Sequence, residues 1–336
     1  MSQLSIQEIF NQFNTLKVLI IGDVMIDSYL WGSVDRISPE APVPIVAVHK
    51  KENRLGGAAN VAVNIQALGA KPILCSIVGE DAAGILFSQL LEKEMMTTEG
   101  IIHSKERVTT VKTRVLGNKH QMLRIDEESD KEIQQGEFNL ISDKIKEILN
   151  KHHVDVIILE DYDKGVLNPK LIEFITEEAL KLGIPTAVDP KKRNFNHYKK
   201  ISLFKPNLKE LRDGLKIDLQ KNEGEEFKKA VDLLRKNLQL ELAMVTLSEH
   251  GIFISDDKGG TFIPAHPRGI VDVSGAGDTV ISVASLCLAL GTNPEMMAGL
   301  ANLAGGLVCE ESGVVPINKE LLLREALVHY QERINL

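Results

Sequence analysis

Residues 17–27 read KVLIIGDVMID. The apolar residues run without alternation and close on Gly22 and Asp23. That is the pattern of a strand buried on both faces of a parallel sheet. KPILCSIVGED (71–81), VDVIILED (154–161), IPTAVDP (184–190) and LAMVTLS (242–248) close the same way. Helical patterns lie between them, at 58–69, 83–95, 137–151, 169–182 and 224–238. Strand–helix alternation predicts a doubly wound, three-layer α/β fold. Asp23, Asp161, Asp189 and Ser248 gather at the C-terminal ends of the strands, the usual edge for ligands.

Two segments break the alternation. Residues 29–50 carry three prolines and read as extended chain; 107–126 read as a β-hairpin turning at Gly117, Asn118 and Lys119. Paired with each other, they predict a small β lid over the ligand edge. No internal repeat, low-complexity tract or long linker interrupts the chain, so one domain is expected over 1–336, with the lid drawn from about 29–50 and 107–126.

The formal net charge of −8 argues against a nucleic-acid surface. Cys75, Cys287 and Cys309 lie far apart in apolar segments, which fits neither a zinc site nor a disulfide framework. The amphipathic start, MSQLSIQEIFNQFNTL, lacks the plan of a signal peptide. No apolar run reaches the roughly 20 residues that span a bilayer. A cytoplasmic protein without membrane or nucleic-acid partners is expected.

Four motifs carry chemistry. DVSGAGD (272–278) sets Gly275, Ala276 and Gly277 before a long apolar helix. Their backbone can approach a ligand closely, and a helix N-terminus adds unpaired N–H donors. Together they form an anion hole suited to a phosphoryl group. Asp278 then reads either as an acidic first-turn residue or as a general base. RLGGAANVAVNIQALG (54–69) opens a helix at Gly56 and Gly57 and offers Asn60, donor and acceptor at once, to sugar hydroxyls; a tight glycine turn reads equally well. In IIGDVMID (20–27), Asp27 can clamp a diol. In KPNLKEL (205–211), Asn207 and Glu210 either share a helix face toward hydrated Mg²⁺ or phosphate, or form a capping box. The chain has neither GxGxxG nor GxxxxGK[ST], so neither common phosphate loop is available.

GGAANVAVNIQALG and DVSGAGD, in this order and at this separation, resemble the two signatures of the PfkB/ribokinase family of carbohydrate kinases, over about residues 16–320. Within it the chain most resembles the D-glycero-β-D-manno-heptose 7-phosphate kinases, through RISPEAPVPIV (36–46), TTVKTRVL (109–116), DYDKG (161–165), DPKK (189–192), KPNLKE (205–210) and VTLSEHG (245–251). The resemblance implies a ribokinase-like αβα sandwich with a mostly parallel central sheet and a β lid. It implies Asp278 as the base, Gly275, Ala276 and Gly277 as the anion hole, and Asp27, Gly56, Gly57 and Asn60 as sugar-binding positions. Asn207 and Glu210 match an Asn-x-x-Glu motif acting on Mg²⁺, Glu210 through water, and on phosphate; Thr246, Ser248 and Gly251 match the loop over the nucleotide phosphates, and Asn302 borders the adenine. Many relatives carry Gly where this chain has Ser248, although the heptose-kinase branch resembles this chain there.

The expected reaction moves the γ-phosphoryl of ATP to a sugar hydroxyl, the anomeric one for a heptose 7-phosphate. Kinases for fructose, ribose or another sugar phosphate, or a non-catalytic sugar-binding relative, are the alternatives. Some heptose kinases are fused to a nucleotidylyltransferase, and without an HxGH-type motif phosphorylation alone is expected here. A substrate phosphate needs cations. Strand alternation puts Thr110, Lys112 and Arg114 on one face; Arg107 and Arg124 flank the same hairpin, and Lys164, Lys191 and Arg193 follow strand ends. Lys112, Arg114, Arg124, Lys164 and Lys191 are the candidates, though exposed basic residues on a hairpin read similarly. Glu160, Asp161 and Asp163 cluster at a strand end and could be taken for a metal site, but turn and cap roles are expected of them. The resemblance also implies a monovalent-cation (K⁺) site near Asp272, and the exposed lid hairpin, which could pair with a second copy, leads to the expectation of a homodimer.

Overall fold

The computed structural model describes residues 4–118, 120–217, 219 and 224–334. Helix α1 (Ile6–Phe13) leads into strand β1 (Lys17–Gly22), and the chain then runs out and back through β2 (Val24–Ile37) and β3 (Pro44–Gly57). It returns through α2 (Ala58–Ala67), β4 (Lys71–Gly79), α3 (Ala82–Lys93) and β5 (Ile101–Ser104) before a second excursion, β6 (Val111–Gly117) and β7 (His120–Glu127). The remainder is α4 (Gln135–Lys151), β8 (Val156–Glu160), α5 (Pro169–Leu182), β9 (Thr186–Asp189), β10 (Leu203–Phe204), α6 (Leu208–Leu215) and α7 (Glu225–Leu238). It ends in β11 (Leu242–Thr246), β12 (Ile252–Asp256), β13 (Gly259–Ile263), α8 (Ala276–Ala289), α9 (Pro294–Val308) and α10 (Lys319–Ile334).

The central nine-stranded sheet has the order β13-β12-β11-β10-β9-β8-β1-β4-β5. Pairing is parallel from β5 to β11, and β12 pairs antiparallel with β11 and with β13. Both faces are covered. In β1, Val18 and Ile20 pack into one core with α2, α8 and α9, while Leu19 and Ile21 pack into the other with α4, α5 and α7. The unbroken apolar runs follow from this, because period-two alternation delivers every side chain to a core. The β12–β13 hairpin was not anticipated; it closes the sheet edge by stacking Phe253 and Phe262 against Phe227. Helix α4 starts at Gln135 rather than 137, because Gln134 and Glu137 form a capping box ahead of the apolar pattern. No helix among the described residues is long and apolar enough to cross a membrane.

The two excursions pair with each other. A four-stranded sheet of order β3-β2-β6-β7 holds both 29–50 and most of 107–126; β2 pairs parallel with β6, and β3 and β7 form the outer edges. Strand β6 begins at Val111, since Thr109 is held back toward the central sheet by Asp81 and the Gly79 N–H. Lys119, the third residue of the expected turn, lies outside the described residues.

Candidate active site

Asp278 sits in the first turn of α8, only 6% exposed, at the C-terminal edge of the central sheet. Its Oδ2 accepts the Asn60 amide at 2.6 Å and its Oδ1 accepts the Tyr162 hydroxyl at 2.8 Å. Burial pushes its carboxyl up to about 6, against the lowering pull of those two hydrogen bonds. Gly275 caps α8 with φ +80, a conformation that suits glycine, and no side chain caps the helix. A Cβ there would lie 3.2 Å from the Asn60 amide, so the glycine also makes room for the base's partner. Of the expected anion hole, the Ala276 N–H is turned to the Val273 carbonyl at 3.3 Å. A Cβ on Gly277 would stand 3.6 Å from Asp189 and 3.8 Å from the Lys205 ammonium, which puts this glycine beside the next charged group.

Glu160, at the end of β8, corrects an expectation. It is not a turn residue: it is fully buried, neither carboxylate oxygen has a hydrogen-bond partner among the described residues, and carboxylate atoms of Glu160, Asp189 and Asp278 lie within 4.8 Å of one another. Burial and then the neighbouring Asp189 and Asp278 carboxylates hold Glu160 well above the usual range. Asp189 goes the other way. Burial would raise it, but Lys191 at 3.2 Å and Lys205 at 2.8 Å keep it low. Three clustered carboxylates, one without a partner, are a hard oxygen donor set that fits Mg²⁺. Asp161 and Asp163 do behave as turn residues: Asp161 accepts from Tyr198, Asn194 and the Asp163 N–H. Asp23 pins the same loop, accepting the backbone N–H groups of Tyr162, Lys164 and Val166.

Lys191, expected among the substrate-phosphate residues, lies elsewhere. Its ammonium is 2.6 Å from Glu210 and 5.6 Å from the Tyr162 ring centroid, on the acidic cluster rather than on the small sheet. Burial would discharge it, but Asp189, Glu210 and Glu160 keep it protonated. Glu210 and Asn207 do form the capping box of α6 (2.8 Å in both directions), and Glu210 spends its other oxygen on Lys191. Glu210 is not one of the three clustered carboxylates.

Asp27 faces the same edge from β2. Arg114 donates to its carboxylate, and a Cβ on Gly56 would press on the Asp27 and Met25 side chains, so glycine leaves the carboxylate room here. Gly57 has φ +61 and caps α2, which carries Asn60. Lys112 and Lys164 converge on Glu128, whereas Arg124 is 53% exposed and pairs with Asp126. Arg107 holds the Lys164 carbonyl, and Arg193 binds Asp130 away from this set. A cavity of about 330 Å³ lies beside Asn60, between Arg54, Leu90 and Val314.

The expected nucleotide loop follows β11. Thr246 bridges to Asn207, Ser248 adopts φ +54, and Gly251 has φ +89 with no room for a Cβ against the Ile263 carbonyl. Ser248 thus takes a left-handed conformation that glycine adopts without steric cost. Asn302 donates to the Pro264 carbonyl at 2.8 Å. Asp272 accepts from Ser274 and Gly313 N–H groups, which outweigh burial and lower its carboxyl.

Tyr162, Glu160, Asp189 and Lys205 were missed as site residues. DYDKG, DPKK and KPNLKE held three of them, but which acids converge depends on neighbouring parallel strands ending side by side.

A profile of the "pfkB family carbohydrate kinase" matches residues 15–320. Curated relatives include proteins named "Bifunctional protein HldE": that of Citrifermentans bemidjiense is 37% identical over 328 residues, 97% of this chain and 66% of the relative. That of Campylobacter curvus is 37% identical over 325 residues, 95% of this chain and 68% of the relative. The chain thus spans about two thirds of the length of these relatives. Among solved structures, Escherichia coli phosphofructokinase-2 in complex with potassium superposes with a TM-score of 0.77 at 20% identity, covering 94% of this chain and 98% of that one. Arabidopsis thaliana ribokinase complexed with ribose and ATP gives 0.69 at 16%, covering 92% and 99%. The fold is therefore ribokinase-like, and the chain belongs to the pfkB family of carbohydrate kinases.

Proposed function

We propose that this kinase transfers the γ-phosphoryl of ATP to the anomeric hydroxyl of D-glycero-β-D-manno-heptose 7-phosphate. The observation that carries the reaction type is Asp278, buried at an uncapped helix N-terminus and oriented by Asn60 and Tyr162. Held in this way, Asp278 takes the proton of the acceptor hydroxyl. The Gly275 and Gly277 backbone at the N-terminus of α8 favours the charge on the transferring phosphoryl, and Lys205 stands next to Gly277 to assist. Positioning and electrostatics dominate such reactions. Asp27, held by Arg114, and Asn60 orient the sugar. Thr246, Ser248, Gly251 and Asn302 take the nucleotide, following the family resemblance.

Glu160 and Asp189 would hold Mg²⁺, with Glu210 reaching it through water. The ion, when bound, supplies positive charge against the phosphoryl oxygens. Asp272 would serve a K⁺ site; potassium is named for the phosphofructokinase-2 neighbour. The sugar assignment rests on RISPEAPVPIV and its companion strings, with the convergence of Lys112 and Lys164 on Glu128 in support. The small sheet acts as a lid, and its β7 edge suits pairing with a second copy. Cytoplasmic action fits the use of ATP.

ATP consumption measured with heptose 7-phosphate, fructose 6-phosphate, fructose and ribose tests the reading. The highest kcat/KM is expected for heptose 7-phosphate. Preference for fructose or ribose would move the protein to another branch, and no turnover of any sugar would leave a non-catalytic relative.

A further inference from the structure

The register of the small sheet gathers charge on one face. Asp27, Lys112 and Asp126 lie opposite one another across β2, β6 and β7, and Tyr29, Arg114 and Arg124 form the next row but one on the same face. Glu128, just past the end of β7, turns back onto it. One of its oxygens lies 3.0 Å from the Lys112 ammonium and the other 2.8 Å from that of Lys164. Those two lysine side chains are only 16% and 17% exposed. Lys164 belongs to the loop after β8, so Glu128 ties the small sheet to the central one.

The two cations are fixed, and the anion is less so. Lys112 sits within a strand paired on both sides. The Lys164 backbone is held at both ends, its N–H by Asp23 at 3.0 Å and its carbonyl by Arg107 at 2.6 Å. Glu128 lies outside any strand, while the chain a few residues on is anchored, the Ile133 N–H bonding the Gly165 carbonyl at 2.9 Å. Its side chain can therefore swing without disturbing the backbone behind it. Burial would raise the Glu128 carboxyl, but Lys164 and Lys112 keep it low and charged.

We propose that Glu128 is a displaceable internal counter-ion: it occupies the seat of the substrate's phosphate, and the Lys112–Lys164 pair selects phosphorylated sugars because only a phosphate displaces it. A phosphate monoester brings about two negative charges and three acceptor oxygens, against one charge and two oxygens for the carboxylate. It can satisfy both ammonium groups and outcompete Glu128. A neutral sugar end cannot. This rests on the proposed use of a sugar phosphate, and deepens it.

The test compares wild type, Glu128→Gln and Lys164→Met in steady-state kinetics with D-glycero-D-manno-heptose 7-phosphate and with the unphosphorylated heptose. Calorimetric titration with inorganic phosphate runs alongside. Glu128→Gln is expected to lower KM for the heptose phosphate about threefold or more, the scale of a partly exposed charge pair, with kcat within about twofold. It should also tighten inorganic phosphate and leave the unphosphorylated heptose unchanged. Lys164→Met should raise KM for the phosphorylated sugar roughly tenfold or more, as loss of a charge-assisted contact does. An unchanged or higher KM in Glu128→Gln, with phosphate binding no tighter, overturns the proposal and leaves Glu128 as a support for the lysines. If no sugar phosphate is turned over, the proposed function falls, while the phosphate titration still decides the seat. Should Glu128→Gln fail to fold, the same titration on Glu128→Asp, whose shorter carboxylate reaches the lysines less well, is read in the same direction.

Discussion

Two charged regions, one at the edge of the central sheet and one on the small sheet, handle charge differently. On the central sheet, Glu160 and Asp278 are buried acids that form no ion pair among the described residues, and neither Glu160 oxygen has a hydrogen-bond partner among them. On the small sheet nearly every charge is matched at once: Asp27 with Arg114, Lys112 with Asp126 and Glu128, Arg124 with Asp126, Lys164 with Glu128. The first region keeps an imbalance that a cation and a proton in transit can relieve. The second keeps a balance that a substrate must break. Buried unpaired charge is costly and is retained at functional sites, whereas paired and partly exposed charge costs little.

The sharpest way to break the contrast is Asp278→Asn. We expect kcat to fall by about a hundredfold or more, with circular dichroism unchanged. The melting temperature at pH 8 should hold or rise, because the variant removes a buried charge. The sign follows from the carboxyl at about 6 in the folded protein. Between the ordinary aspartate range and that value the folded chain holds a proton the unfolded chain has released, so this group's contribution to stability falls as pH rises. Wild-type kcat/KM should accordingly lose activity as pH drops through about 6, where the base becomes protonated. An acid limb more than a unit lower would remove Asp278 from that role.

Glu160→Gln tests the cluster more gently. The Mg²⁺ concentration giving half-maximal rate should rise roughly tenfold or more, with stability equal or higher. An unchanged Mg²⁺ requirement would separate Glu160 from the metal. Gly275→Ala comes next. Its φ of +80 and the 3.2 Å approach to Asn60 should cost about 1–2 kcal/mol, read by urea denaturation. The smallest effect belongs to the paired region. Arg124→Gln, at a 53% exposed pair, should change KM for a sugar phosphate less than about threefold and stability by no more than about 0.5 kcal/mol. A larger change would make Arg124 a direct phosphate ligand.

Much of the site was legible because local chemistry announced it. Gly275 and Gly57 stand where positive φ is needed, and Asn60 follows its glycine turn at the start of a helix. The Asn207–Glu210 spacing read as either a capping box or a ligand pair; the capping box forms, and its glutamate also reaches Lys191. Lys191, a candidate for the substrate phosphate, sits on the acidic cluster, because proximity to a strand end does not tell which neighbouring strand a long side chain will reach. Glu160 was hidden by Asp161 and Asp163. Three acids in four residues look like a solvated turn until alternation sends Glu160 into the interior.

Composition and pattern alone determined the layer architecture. Apolar runs without alternation can be satisfied only between two helical layers, and the two β excursions stand apart because they interrupt the strand–helix alternation. Tertiary structure alone decided which charges meet. The Glu160–Asp189–Asp278 cluster draws on the ends of β8 and β9 and the start of α8, and the Lys112–Glu128–Lys164 bridge joins two sheets. Those partnerships depend on strand order and register, and on the few ångströms over which an ion pair acts, none of which is written in local sequence.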